Sequence, residues 1–274
     1  MAHAPRLPLA PTLIWALMLP IASLAQTVPA PPDALPPGLQ GARLLPGWTD
    51  PTGARILALE LQLEPGWKTY WRSPGDTGLP PHLDWTGSGN LDHVTLHWPA
   101  PQAIRSGEVL EMGYHDHLVL PLTAHPVDPG QPVDIRARID LGLCKDICVP
   151  AGLDLTAPPV GDAPDPRITD ALALAPERRD DSPACHVTPL TDGMRVAMAL
   201  PDQGATLAAI ELTDSPDVWV SGADITDGPR GLQAVVEMVG PTGAPFDLDR
   251  QALRLTVIPA DDGPATESTG CAPG

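Results

Sequence analysis

Val133-Asp134-Ile135-Arg136-Ala137-Arg138-Ile139-Asp140-Leu141-Gly142-Leu143-Cys144-Lys145-Asp146-Ile147-Cys148-Val149-Pro150 is the stretch on which the fold turns. Val133, Ile135, Ala137, Ile139, Leu141 and Leu143 alternate with Asp134, Arg136, Arg138 and Asp140, the period of two that marks a strand with one buried face. Downstream, Leu153 and Leu155 begin a return strand, so the segment reads as a β-hairpin with Cys144 and Cys148 in its turn. Two thiols so placed are close enough to oxidise to each other and exposed enough to meet another protein's cysteine.

Three chemistries fit this pair. It can be a redox dithiol. It can be a structural disulfide, although a closed loop of about five residues stabilises a fold by only about 2 kcal/mol in the chain-entropy model. It can also be half of a metal site, because two thiolates helped by a distant histidine can hold Cu(I) or Zn(II).

Outward from the hairpin, the composition is that of an exported β protein. Residues 1–25 carry Arg6, an apolar run from Leu13 to Leu24 and a small-x-small site at Ser23-Leu24-Ala25, which together predict a secretory signal peptide. That run of about 12 residues is shorter than the ~20 a spanning helix needs, and no later stretch comes closer. The expected product is therefore soluble in the periplasm, an oxidising compartment in which its four cysteines can pair. With 37 prolines, 25 glycines and little helical periodicity, the 274 residues predict an all-β chain of two sandwich domains. A net charge of −18 repels nucleic acid and anionic lipid.

Residues 26–40, rich in Pro and Ala, read as a flexible N-terminus. Leu57, Leu59, Leu61 and Leu63 alternate with polar neighbours and predict a strand. An aromatic strand, Trp67-Lys68-Thr69-Tyr70-Trp71, then runs into the turn-dense loop Arg72-Ser73-Pro74-Gly75-Asp76-Thr77-Gly78-Leu79-Pro80. Trp85 and Trp98 are expected to fill the core of a chain with one Phe. Tyr70, Trp71 and Tyr114 are candidates for an apolar collar that limits stray oxidation of a dithiol. His93 and His97 fall on the polar side of their strand. His115 and His117 bracket Asp116, and on one strand the two rings would share a face suited to a metal.

These segments resemble a known family, the N-terminal periplasmic domain of the bacterial thiol:disulfide interchange proteins of the DsbD and ScsB type. The likeness rests on Gly66-Trp67-Lys68-Thr69-Tyr70-Trp71-Arg72, on Pro74-Gly75-Asp76-Thr77-Gly78-Leu79-Pro80, on Trp98-Pro99-Ala100-Pro101, on Gly113 to Leu122, and on Cys144-x3-Cys148-Val149-Pro150. It covers residues 40–158, near the expected domain 41–158. The resemblance implies an immunoglobulin-like sandwich whose cysteine pair takes electrons from a membrane-embedded donor of the DsbD/CcdA type and passes them to oxidised periplasmic proteins. Cys144 and Cys148 are then the catalytic pair, with Cys148 the attacking thiol, and Ser106 to Met112, including Glu111, takes the place of the capping loop. The best-studied members space their cysteines by five residues, not three, and continue into transmembrane and thioredoxin-like domains. Here the electrons would come from a separate membrane protein. No organic cofactor and no metal are implied.

Residues 159–183 read as a linker in which Asp165-Pro166 caps a short helix ending near Ala175. Strands are expected in the second domain, 184–274, at 194–200, 207–212, 218–220, 232–239 and 253–258. Cys185 opens this domain and Cys271 closes it, and a bridge across nearly 90 residues stabilises by about 4–5 kcal/mol in the same entropy model. That predicts Cys185–Cys271 as the structural disulfide. The leading expectation is a periplasmic thiol:disulfide oxidoreductase; the alternatives are a copper-handling module built on the same cysteines and a binding domain with inert disulfides.

Overall fold

The structure, a computed structural model, describes Met1 and residues 35–106, 109–201, 205–259 and 263–274. The expected signal peptide and residues 26–34 lie outside the described residues. Among the described residues no helix is long and apolar enough to cross a membrane.

The first part of the chain forms ten strands: β1 (Leu39–Thr49), β2 (Arg55–Leu63), β3 (Lys68–Tyr70), β4 (His82–Asp84), β5 (Leu91–Leu96), β6 (Gln102–Ser106), β7 (Val109–His115), β8 (His117–Pro126), β9 (Arg136–Cys144) and β10 (Cys148–Thr156). They make two sheets, ordered β1-β2-β8-β5 and β10-β9-β3-β7-β6, with β4 added against β9. The alternating residues legible in the sequence fill the space between them: Leu57, Leu59 and Leu61 of β2 meet Ile139, Leu141 and Leu143 of β9. Each such side chain removed from water contributes about 1.5–3 kcal/mol. Trp98 is buried in this core, and Trp85 packs at its margin.

The back of β2 is covered as well. Asp165 accepts a hydrogen bond from the Arg167 amide at 3.0 Å and caps the helix α1 (Pro166–Ala173), whose Ile168 packs on Leu45 and Ala58. Strand β2 is thus buried on both faces, and Glu60 there is held by Arg43 at 2.5 Å and His117 at 3.1 Å.

The second part contributes β11 (Glu177–Arg179), β12 (Ala184–Pro189), β13 (Met194–Ala199), β14 (Ala205–Leu212), β15 (Trp219–Val220), β16 (Asp224–Gly228), β17 (Gly231–Val239), β18 (Leu253–Pro259), β19 (Thr266–Thr269) and β20 (Ala272–Pro273). Two further sheets result, β11-β19-β18-β14 and β15-β17-β13-β12-β20, with β16 beside β17, so that four sheets form two β domains. Strand β11 lies in the expected linker yet pairs in parallel with β19, and Leu39 and Gln40, expected in the N-terminal tail, begin β1.

Strand β14 joins the two halves. Its even positions Ala208, Ile210 and Leu212 enter the second core, while Leu207 and Ala209 pack into the first. A period of two turns alternate side chains to opposite faces, so Glu211 stands at the end of the row that faces the first domain.

Candidate functional site

Cys144 ends β9 and Cys148 begins β10, directly opposite each other in the ladder, with Lys145-Asp146-Ile147 as the turn. Their Cα atoms are 4.1 Å apart and the sulfurs form a disulfide. The Lys145 amide donates to the Ile147 carbonyl at 3.1 Å, which closes the loop locally. The two sulfur-bearing residues differ in access: Cys144 is buried, at 1% exposure, and Cys148 is exposed.

Strand β3 explains the burial. It pairs with β9 through Lys68 opposite Cys144 and Thr69 opposite Leu143, and with β7 through Tyr70 opposite Gly113. Alternation puts Lys68, Tyr70 and Cys144 on the outer face of the sheet, and Thr69, Trp71 and Leu143 on the core face. A Cβ on Gly113 would lie 2.2 Å from the Thr69 carbonyl oxygen, so the close approach of β3 to β7 requires glycine there. The Tyr70 hydroxyl reaches 3.1 Å from Cys144 Sγ and 3.4 Å from Cys148 Sγ. It also donates to Glu111 Oε1 at 3.2 Å, and Thr77 Oγ1 donates to the same oxygen at 2.7 Å. Lys68 Nζ pairs with Glu111 Oε2, a contact buried on both sides. Burial, reinforced by the Glu111 carboxylate, pushes the Tyr70 phenol up to about 12. Tyr70 therefore remains a hydrogen-bond donor across the neutral range.

The loop from Arg72 to Pro80 roofs this face. The Pro74 carbonyl accepts the Met112 amide at 3.0 Å, Thr77 holds Glu111, and Leu79 Cβ lies 3.1 Å from where a Gly142 Cβ would stand. Leu79 and Ile147 are exposed apolar side chains around this site. Lys145 Nζ donates to the Pro65 carbonyl at 3.2 Å.

Of the residues singled out in the sequence, the structure brings Tyr70 and Glu111 to the disulfide. Trp71, Met112 and Tyr114 lie instead in the sandwich core, and the Tyr114 hydroxyl donates to the Pro99 carbonyl at 2.8 Å. Only the outer-face member of the expected collar touches sulfur among the described contacts. Of the segment Ser106 to Met112, Ser106 ends β6 and Val109 to Met112 open β7, paired with Ser106 to Ala103, while residues 107 and 108 lie outside those described. The expectation that His115 and His117 share one face is corrected. Asp116 takes φ of 62°, which breaks the alternation, and places His115 on β7 and His117 on β8, in different sheets. His115 Nδ1 meets the Trp67 carbonyl at 3.2 Å and His117 turns to Glu60. Among the described residues no group of three or more His, Cys, Asp or Glu is arranged to hold a metal.

Lys68 and Thr77, which hold Glu111 beside Tyr70, were not among the candidate site residues singled out in the sequence. Lys68 carried a readable signal, since it sits two positions before Tyr70 on the same strand face. Thr77 lies in an irregular loop, where its only signal was its place in the Pro74–Pro80 motif that carries the family likeness.

The second disulfide joins Cys185 and Cys271, both buried in the core of the second domain at 1% and 2% exposure. Arg250 Nη1 donates to the Cys185 carbonyl at 3.2 Å, and the amide of Gly274 donates to that carbonyl at 2.9 Å.

The fold and site define a β domain with a disulfide at a hairpin tip, one of its cysteines buried and the other exposed. Residues 42–158 match the family model "Thiol:disulfide interchange protein DsbD, N-terminal", and this part of the chain is a domain of that family. Among solved structures, the crystal structure of the N-terminal periplasmic domain of ScsB from Proteus mirabilis aligns with a TM-score of 0.58 and 24% identity, over 82% of this chain and 91% of that one. The shared fold thus extends beyond the family region. No curated protein matches the sequence.

Proposed function

We propose that the chain is a periplasmic thiol:disulfide interchange protein, of two immunoglobulin-like domains, that relays electrons from a membrane-embedded donor to oxidised periplasmic proteins through Cys144 and Cys148. The observation that carries this reading is the unequal access of the two cysteines: Cys148 is an exposed residue, while Cys144 is buried, with its sulfur 3.1 Å from the Tyr70 hydroxyl. A thiolate of the donor attacks Cys148 Sγ, the disulfide breaks, and its electron pair leaves on Cys144 Sγ. Tyr70 turns its single O–H from Glu111 to that thiolate, which lies 3.1 Å from the phenol oxygen in the disulfide form, and Lys68 and Thr77 hold the Glu111 carboxylate. The donor's second thiolate then attacks its own sulfur in the mixed disulfide and releases Cys148. Two electrons have moved, and two protons from solvent complete the dithiol. The same steps in reverse, begun by Cys148 on an acceptor disulfide, return the pair to its oxidised state.

The second cysteine normally resolves the mixed disulfide, so Cys144→Ser should strand Cys148 in a covalent, reducible complex in the cell, and Cys148→Ser should not. Mass spectrometry of the trapped species would name the donor, expected to be an integral membrane protein, and the acceptor. If neither variant yields a reducible adduct while both are folded and exported, the oxidoreductase reading fails and a binding module with inert disulfides is the better account.

A further inference from the structure

The loop that packs on Tyr70 and holds Glu111, and so roofs the face on which Cys144 lies, is fastened to the other domain. Arg72, at the start of the loop, sends its guanidinium across the interface: Nε lies 3.0 Å from Glu211 Oε1, and Nη2 lies 3.0 Å from Glu211 Oε2 and 2.7 Å from Glu267 Oε2. The same nitrogen reaches Thr256 Oγ1 at 3.4 Å, and the guanidinium carbon stacks 4.3 Å over the Trp71 ring. The three partners belong to β14, β18 and β19 and share the sheet face turned to the first domain. Arg254, opposite Glu211 in the ladder, adds a second cation within 3.9 Å of both carboxylates, so the cluster is neutral. Four residues further along the loop, Asp76 Oδ1 accepts the Gly222 amide at 2.7 Å. Thr77, the residue that holds Glu111, follows Asp76 directly, and Tyr70, which touches both sulfurs, stands two before Arg72. The second domain therefore grips the roof on either side of Pro74, whose carbonyl ties it to β7.

We propose, on the reading of Cys144 and Cys148 as the reactive pair, that the second domain is a clamp on this roof, with Arg72 and Asp76 as positioning residues that keep Cys144 shielded and so direct exchange to Cys148. A free loop of this composition, with two glycines and two prolines between 72 and 80, has no helix or strand of its own to keep it closed. Closure comes from Arg72 and Asp76 on the second domain and from Pro74 and Thr77 on β7. Loss of either tether lets the roof lift, and Cys144 becomes reachable while Cys148, already open, changes little.

The test uses the mature two-domain chain, reduced at Cys144 and Cys148, with iodoacetamide as probe and peptide-resolved mass spectrometry as readout. Arg72→Ala and Asp76→Ala should each raise the alkylation rate of Cys144 by about tenfold and leave that of Cys148 within about twofold, because only the covered thiol depends on local opening. Arg72→Lys keeps one charged contact and should restore most of the protection. Asp76 is a surface residue, so its variant remains informative if Arg72→Ala fails to fold. An unchanged Cys144 rate in the folded Asp76→Ala protein overturns the proposal. So does a parallel rise at both cysteines, which would mark general loosening. Thiol access is read without any partner, so this result stands apart from the trapping experiment.

Discussion

The two disulfides of this chain occupy opposite settings. Cys144–Cys148 bridges directly opposed ends of one hairpin, beside a polar network of Tyr70, Glu111, Lys68 and Thr77, with Cys148 an exposed residue. Cys185–Cys271 joins residues 86 apart, both buried in the second core with the Arg250 Nη1 2.7 Å from Cys185 Sγ. In the first, the ladder already fixes what the bond connects. In the second, the bond anchors the short strand β20, which pairs with β12 over only Ala272 and Pro273. A bond suited to repeated opening is one the fold does not need; a bond the fold needs is one kept from other thiols.

The largest effect expected from breaking this contrast is at the long-range bridge. Replacing Cys185 and Cys271 together by Ser should lower the stability of the second domain by about 4–5 kcal/mol, the closure entropy of so long a loop, read from urea unfolding. Next comes the polar support of the short bridge. Glu111→Gln leaves the Lys68 ammonium buried beside a neutral amide and should cost about 3 kcal/mol, whereas Lys68→Met with Glu111→Leu should recover most of it, because paired removal avoids the stranded charge. Removing the short bridge itself, with Cys144 and Cys148 both changed to Ser, should cost only about 2 kcal/mol by the same loop argument. If that variant proves less stable than the Cys185/Cys271 one, the contrast is wrong.

The smallest effect concerns pH. Tyr70 has its phenol raised from 10.0 to about 12 in the folded protein, so the folded state holds that proton more tightly than the unfolded chain does. The resulting stability is complete below pH 10 and is lost as pH rises toward 12. Tyr70→Phe should therefore flatten the alkaline limb of the unfolding curve and, at neutral pH, cost about 1 kcal/mol for the lost hydrogen bonds.

Much of the fold was legible. The strands expected at 194–200, 207–212, 232–239 and 253–258 correspond to β13, β14, β17 and β18, because each carries an apolar run long enough to show its period. Strands β11, β12, β16, β19 and β20 of the second part were not foreseen. They are short, without such a run, and hold their place through neighbours: β11 and β20 pair in parallel with strands far away in sequence. At the site, strand period alone separates Tyr70 and Glu111, which face the sulfurs, from Trp71, Met112 and Tyr114, which face the core. Aromatic character suggested a collar; parity of position would have divided it. The histidine pair misled for the converse reason, since a single left-handed residue, Asp116, resets the parity. The clamp was illegible because Arg72 and Glu211 are separated by 139 positions and meet only through the packing of two domains.

The order of the four cysteines along the chain also has a consequence for biosynthesis. A chain that emerges from its N-terminus presents Cys144 and Cys148 almost together, then Cys185, and Cys271 last. The short bridge can therefore close at once, from neighbours in a hairpin, and take both of its thiols out of competition before Cys185 arrives. Cys185 then waits alone for a partner 86 residues behind it. The order of the cysteines along the chain thus acts as a schedule for oxidation, in which neighbour-with-neighbour pairing in order of appearance already yields the native connectivity.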